Sequence, residues 1–146
     1  MRSLTDRIGT FSRLTFTEQA LFIRSWISFI LVDLQLRFIS SKQLLDRESG
    51  GRSGTGRIPE DETEAFISRT AWLVERAGRF APVRSTCLKE SLILHRILDR
   101  HQISSDLRIG VLRTNGELQA HAWLERNGVP IFGYDPEDGY QPLAPA

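Results

Sequence analysis

"CLKESLILHRILDRHQISSDLRIGVLRTNGELQAHAWLERNGVPI", residues 87–131, changes its apolar period partway along, and that change decides the fold. Leu88, Leu92, Ile93, Leu94, Ile97 and Leu98 recur at helical spacing, with Ser85 or Thr86 placed to cap the first turn. This predicts a helix to about His101. Beyond it the period falls to about two. "DLRIGVLR" sets Leu107, Ile109 and Val111 against Arg108 and Gly110, and "ELQAHAWLER" follows across Thr114-Asn115-Gly116. "VPIFGYD" comes after a second Asn-Gly pair, Asn127-Gly128. Asn-Gly between alternating strands is a strong hairpin signal. The expected architecture is α+β: one helix packed on a three-stranded antiparallel meander.

Upstream, "RFAPVRST" reads as extended because Pro82 disfavours helix in the residue before it. A further helix is predicted from about Asp61 to Gly78, with Phe66, Thr70, Leu73 and Val74 inward and Gly78 as its stop. "DRESGGRSGTGRIPED", residues 46–61, has the composition of a linker. The chain therefore divides into an N-terminal helical region (1–45), a linker (46–60) and a core that carries the chemistry (61–146). Within the first region Thr15 and Glu18 have capping-box spacing, opening a helix to about Ser40. Its inward face is read as Leu21, Trp26, Ile30, Leu34 and Phe38, with Ile23, Ile27 and Leu31 widening the stripe. A helix apolar around most of its circumference is buried or docked on a partner.

The totals fit one soluble domain: 146 residues, 40% apolar, 25% charged. A net charge of +1 argues for neither nucleic acid nor an anionic membrane. Arg outnumbers Lys 17 to 2, which suits planar recognition of carboxylates and carbonyls but equally reflects genome composition. The longest uncharged run in "ALFIRSWISFILVDLQLRFI" is Ser25–Val32, eight residues, against about 20 for a membrane span. No integral membrane segment is expected. The N-terminus lacks the pattern of a secretory signal. A single cysteine forms no intramolecular disulfide, and with three His it has no zinc partner at ligand spacing. A reducing cytoplasm suits such a thiol.

Cys87 falls in the first turn of its predicted helix, where unpaired amides and the helix dipole favour an anion. The thiolate is the nucleophilic form, and the same amides can hold an oxyanion. A lone Cys at a helix start is also an ordinary packing residue. His121 lies in mid-strand between two alanines, sharing a face with Gln119 and Trp123; it reads as a base or as a half-buried strand histidine. Trp123 and the adjoining strand edge are candidates for binding an extended substrate by strand addition, with a core role for Trp123 the alternative. Asp135 ends the next strand, where a carboxylate can orient the imidazole. It is also a turn starter before Pro136, and Glu125, Glu137 and Asp138 compete with it. His95 and His101 lie too far along the helix and are expected to bond locally.

The order Cys, His, Asp on helix, strand and next strand is that of the papain and transglutaminase group. The quoted segment resembles the core of the transglutaminase-like peptidases of lasso-peptide biosynthesis, the B proteins, and in particular the stand-alone peptidase half of the split form. The resemblance lies in Cys followed by a leucine-rich basic helix, then "RIGV", "AHAWLE" and "NG", and it spans about residues 15–135. It implies removal of the leader from a ribosomal precursor peptide, with Cys87 as nucleophile, His121 as general base and then acid, and an acidic third residue for which Asp135 is the candidate. It also implies a separate small leader-recognition protein as partner, with a macrolactam cyclase acting afterwards. No cofactor is expected: "GGRSGTGR" lacks the Gly-Lys-Ser/Thr ending of a phosphate loop. The competing readings are acyl transfer to an amine and a non-catalytic peptide-binding module.

Overall fold

Two Asn-Gly pairs set the register of the sheet. Asn115 (φ 53°) and Gly116 (φ 85°) take left-handed conformations, as do Asn127 (φ 53°) and Gly128 (φ 77°). Left-handed φ at both central positions matches the right-handed strand twist in a two-residue turn. A computed structural model describes residues 14–38, 58–135 and 139–143. Within them β1 (Asp106–Thr114), β2 (Glu117–Arg126) and β3 (Val129–Phe132) form the expected meander. A fourth short strand, β4 (Gln141–Pro142), adds to the far side of β1, giving the antiparallel order β3-β2-β1-β4. Two residues that include a proline carry no periodic signal, so this strand was not expected.

The direction of each strand's amides follows from the pairing. Arg126 faces Val129 across the tight turn, so Arg126 and every second residue before it turn their N–H and C=O toward the β3 side. The other end agrees. The Leu143 amide donates to the Ile109 carbonyl at 2.8 Å, so Ile109 faces β4 and its partner Ala122 faces away from β1. Two prolines obey the same parity. Pro130 lies opposite Glu125 and Pro142 opposite Gly110, at positions where the neighbouring strand asks for no N–H.

Of three helices, α1 (Phe16–Phe38), α2 (Glu60–Phe80) and α3 (Cys87–Arg100), α3 packs on β1 and β2, α2 reaches β3, and α1 packs on α2 and α3. Phe29 and Val32 of α1, Val74 and Ala77 of α2, Leu92, Leu94 and Leu98 of α3 and Leu124 of β2 form one core, with Leu107 and Phe132 packed against it. The architecture is α+β, as expected. Residues 39–57 lie outside those described; they include most of the expected linker and the last residues assigned to the first helix.

The inward face of α1 is only in part the one expected: Leu21 and Trp26 pack against the core. Ser25, Phe29 and Val32 are buried, Trp26 is half-buried, and Leu34 (52%) and Phe38 (81%) are exposed. A helix apolar all round does not encode its own rotation. Polar anchors set it instead: Trp26 Nε1 donates to the Phe80 carbonyl at 3.0 Å, Asp33 receives Lys89 Nζ at 2.6 Å, and Gln35 Oε1 receives Arg96 at 3.1 Å. Among the described helices α1 alone has the length and composition to cross a membrane, its most apolar window averaging hydropathy 1.3. Here it contributes Phe29 and Val32 to the core.

Gly78 does not stop α2; the helix runs on to Phe80, and Ala81 is extended before Pro82. The glycine is instead a point of close approach. A Cβ there would lie 2.7 Å from Ser85 Oγ and 2.8 Å from Phe29 Cζ. Gly to Ala inside a helix ordinarily stabilises by about 1 kcal/mol, but overpacking a filled site costs about 1–3 kcal/mol. Gly78→Ala is therefore expected to destabilise the fold, read as a lower urea midpoint with unchanged slope.

The capping box forms as spaced. The Glu18 carboxylate receives the Thr15 amide at 2.9 Å, and Arg69 of α2 donates to it at 2.5 Å. The Arg69 bond, then the Thr15 amide, holds the Glu18 pKa at about 2, below its ordinary 4.5. A carboxyl depressed in the folded state stabilises above its unfolded pKa and loses that contribution as pH falls through the folded one. The urea midpoint is expected to fall between about pH 4.5 and 2, and Glu18→Gln should flatten that part of the profile.

Candidate active site

Thr86 caps α3 and makes Cys87 its first helical residue. The Thr86 hydroxyl accepts from the Lys89 amide at 3.4 Å, and its carbonyl receives the Glu90 amide at 3.0 Å. The Cys87 and Leu88 amides come before Glu90, the first amide with an intrahelical acceptor. The loop leading to the thiol is held from both sides. Lys89 Nζ donates to the Arg84 carbonyl at 2.7 Å as well as to Asp33, its side chain only 8% exposed. On the other side the Ser85 hydroxyl donates to Glu90 at 2.6 Å. Burial pushes the Glu90 carboxyl above its ordinary range, and the Ser85 bond only partly offsets this. Lys89 acts the opposite way on Asp33, drawing its carboxyl below the usual range, with Arg37 adding to the effect.

One hydrogen bond joins this helix to the strand that carries the histidine. The Ser91 hydroxyl donates to the Ala122 carbonyl at 3.2 Å, in a buried position. That carbonyl points to the β3 side, but β3 pairs with β2 only as far as Leu124 and Phe132, with a register shift beside it. The helix thus fills the edge where the strand ends. Its C-terminal end feeds β1, whose first residue pairs with Glu125, so toward its N-terminus α3 runs toward lower numbers on β2. Four helical residues advance about 6 Å, close to two strand residues. Cys87, half-buried, lies one turn before Ser91, on the side of the lower β2 numbers.

His121 pairs with Gly110 and leaves the sheet on the face opposite the helical core. Its Nε2 meets the Gly133 carbonyl. A carbonyl only accepts, so the neutral ring is protonated at Nε2 and its basic nitrogen is Nδ1. Tyr140 stacks on the imidazole with centroids 4.9 Å apart. Gly133 thus returns to the imidazole, and the group on Nε2 is its backbone carbonyl. Asp135 follows two residues later. Nothing in the sequence pattern singled out the Gly133 carbonyl or Tyr140.

Trp123 is packed rather than open. It is 1% exposed, its Nε1 donates to Glu125 at 2.9 Å, and Tyr134 lies against it at 5.1 Å. The ring crosses Gly110, where a Cβ would come within 2.7 Å of it. The substrate contact expected of its side chain has no open surface to use, which leaves the strand edge.

Of the other two histidines, His95 bonds to the segment just after its helix, whereas His101 meets a ring of α2. His95 Nδ1 lies 2.9 Å from Ser105 Oγ, and His101 sits edge-on to Phe66 at 4.7 Å. Burial, then Arg24 and Arg100, holds the His101 pKa below its ordinary value. Among the described residues no group of three or more His, Cys, Asp or Glu is placed to hold a metal ion.

A family model for the transglutaminase-like superfamily matches residues 28–145, so the chain belongs to that superfamily. Its fold is of the cysteine-peptidase or acyltransferase type. The match begins inside α1 and includes α2, α3 and the sheet. Comparison with curated proteins and with solved structures gave no match.

The Thr86 cap yields a direct test. Thr86→Ala is expected to cost about 1 kcal/mol of stability and to slow alkylation of Cys87, whereas Thr86→Ser keeps both. Thermal unfolding and iodoacetamide labelling read the two effects separately.

Proposed function

We propose that this transglutaminase-like chain is a cysteine peptidase that removes the leader from a ribosomal precursor peptide in lasso-peptide maturation. The observation that supports the chemistry is the Ser91–Ala122 bond, which joins the helix that opens on Cys87 to the strand that carries His121. The lasso-peptide assignment rests on the sequence resemblance over about residues 15–135, centred on the segment 87–131.

In this reading Cys87 gives its proton to His121 Nδ1, and the thiolate attacks the carbonyl at the leader–core junction. The Cys87 amide at the α3 N-terminus stabilises the oxyanion. The imidazolium then protonates the leaving amine as the peptide bond breaks, leaving a thioester. Water, deprotonated by His121, releases the leader carboxylate and regenerates the thiol. The Gly133 carbonyl fixes the tautomer that this sequence requires. Asp135 supplies negative charge behind the imidazolium. The precursor arrives on a separate small leader-recognition protein, a cyclase closes the macrolactam afterwards, and no cofactor enters. The same thioester with an amine in place of water would give acyl transfer, and product mass separates the two.

Mass spectrometry of a leader–core precursor, incubated with the protein and its recognition partner, tests the assignment. Cys87→Ala is expected to abolish the cut, and His121→Ala to slow it at least about 10³-fold. Asp135→Asn should cost less, about 10- to 100-fold, because Gly133 still holds Nε2. A cut that survives in Cys87→Ala removes the mechanism.

A further inference from the structure

The β3-side edge of β2 has a closed part and an open part. At Ala122 the outward carbonyl is taken by Ser91. At Ala120 and Leu118 the same parity turns both main-chain groups to the β3 side, but β3 pairing ends at Leu124. Among the described residues no strand pairs with them on that side. Both are exposed, Leu118 at 67%. From these observations we infer that this open edge is the docking rail for the polypeptide that Cys87 attacks. An extended segment adds there as a strand, exchanging main-chain hydrogen bonds with Ala120 and Leu118.

Two further observations select this edge and this occupant. The outer edges of the sheet are blunted. Pro130 on β3 and Pro142 on β4 sit at positions whose main chain points away from the neighbouring strand, so each presents an imide nitrogen with no hydrogen to the outside. The β2 edge carries no proline at 118 or 120. The groups offered there are alternating donors and acceptors repeating every second residue, about 6.7 Å. An extended backbone presents the complementary pairs at that same repeat. Main-chain pairing is indifferent to side chains, so the residues paired on the rail are held by shape while their sequence is read elsewhere. The inference rests on the reading of Cys87 as nucleophile.

The test uses the full chain with its recognition partner and a synthetic leader–core precursor. Ala120→Pro removes one outward N–H at a position that β1 does not use, as Pro130 and Pro142 already do elsewhere. KM is expected to rise about 3- to 10-fold, the worth of one hydrogen bond, with kcat within about twofold and the iodoacetamide labelling rate of Cys87 unchanged. Single amide-to-ester replacements in the precursor leave the protein untouched and so cover a folding defect in the variant. They should weaken binding at alternate residues along one side of the scissile bond. Wild-type KM in Ala120→Pro, or ester effects without alternation, overturns the rail even when Cys87→Ala is inactive. Cleavage that persists in Cys87→Ala removes instead the nucleophile assignment beneath it.

Discussion

The amide parity of β2 is the constraint on which the candidate site depends. A strand's hydrogen-bonding groups alternate sides, and the Arg126–Val129 pair commits the even-numbered residues of β2 to the β3 side. β3 spans four residues and β2 ten. The difference leaves an edge beyond Leu124 whose carbonyls need partners, and a buried unpaired carbonyl costs about 1–3 kcal/mol. Ser91 satisfies the first of them at Ala122. That bond brings the start of α3, and so Cys87, beside the strand that carries His121. A β3 two residues longer would claim the same carbonyl and leave the helix no seat there.

The loop before the thiol is held by charges from elements remote in sequence. Lys89 is buried, and a buried cation is tolerated only when paired and hydrogen-bonded. Asp33 of α1 and the Arg84 carbonyl meet that need. The first helix is thus joined to the loop before Cys87 by charge as well as by packing, consistent with a family match that begins inside α1. Glu90 takes the opposite side of the loop through Ser85, against its own desolvation.

On the far face of the sheet the chain returns from β3 to β4. Tyr134 covers Trp123 and Tyr140 stacks on His121. Gly110 makes room for the indole to lie flat across β1. This aromatic layer shelters the imidazole while the Gly133 carbonyl sets its tautomer. The helix that opens on Cys87 lies on the core face of the sheet, and His121 leaves from the other.

Features whose physics acts within a few residues were legible in the sequence. The Thr15–Glu18 box, the Thr86 cap, the change of period after His101 and both Asn-Gly turns each involve groups fewer than five residues apart, and they defined the α+β order of elements. From them the sequence by itself determined that a lone thiol would open a helix, and that a histidine would follow in mid-strand on the face of Trp123. What depends on groups far apart in the chain was decided by the tertiary structure. The rotation of α1 came from Trp26, Asp33 and Gln35 meeting α2 and α3, because an apolar pattern wrapping the whole helix favours no face. Gly78 became a close contact rather than a stop because Phe29 and Ser85 arrive there, and β4 formed because β1 still had outward groups to pair. The group on the imidazole is a backbone carbonyl, which every residue carries and no sequence pattern marks; only the return of Gly133 to His121 could select it.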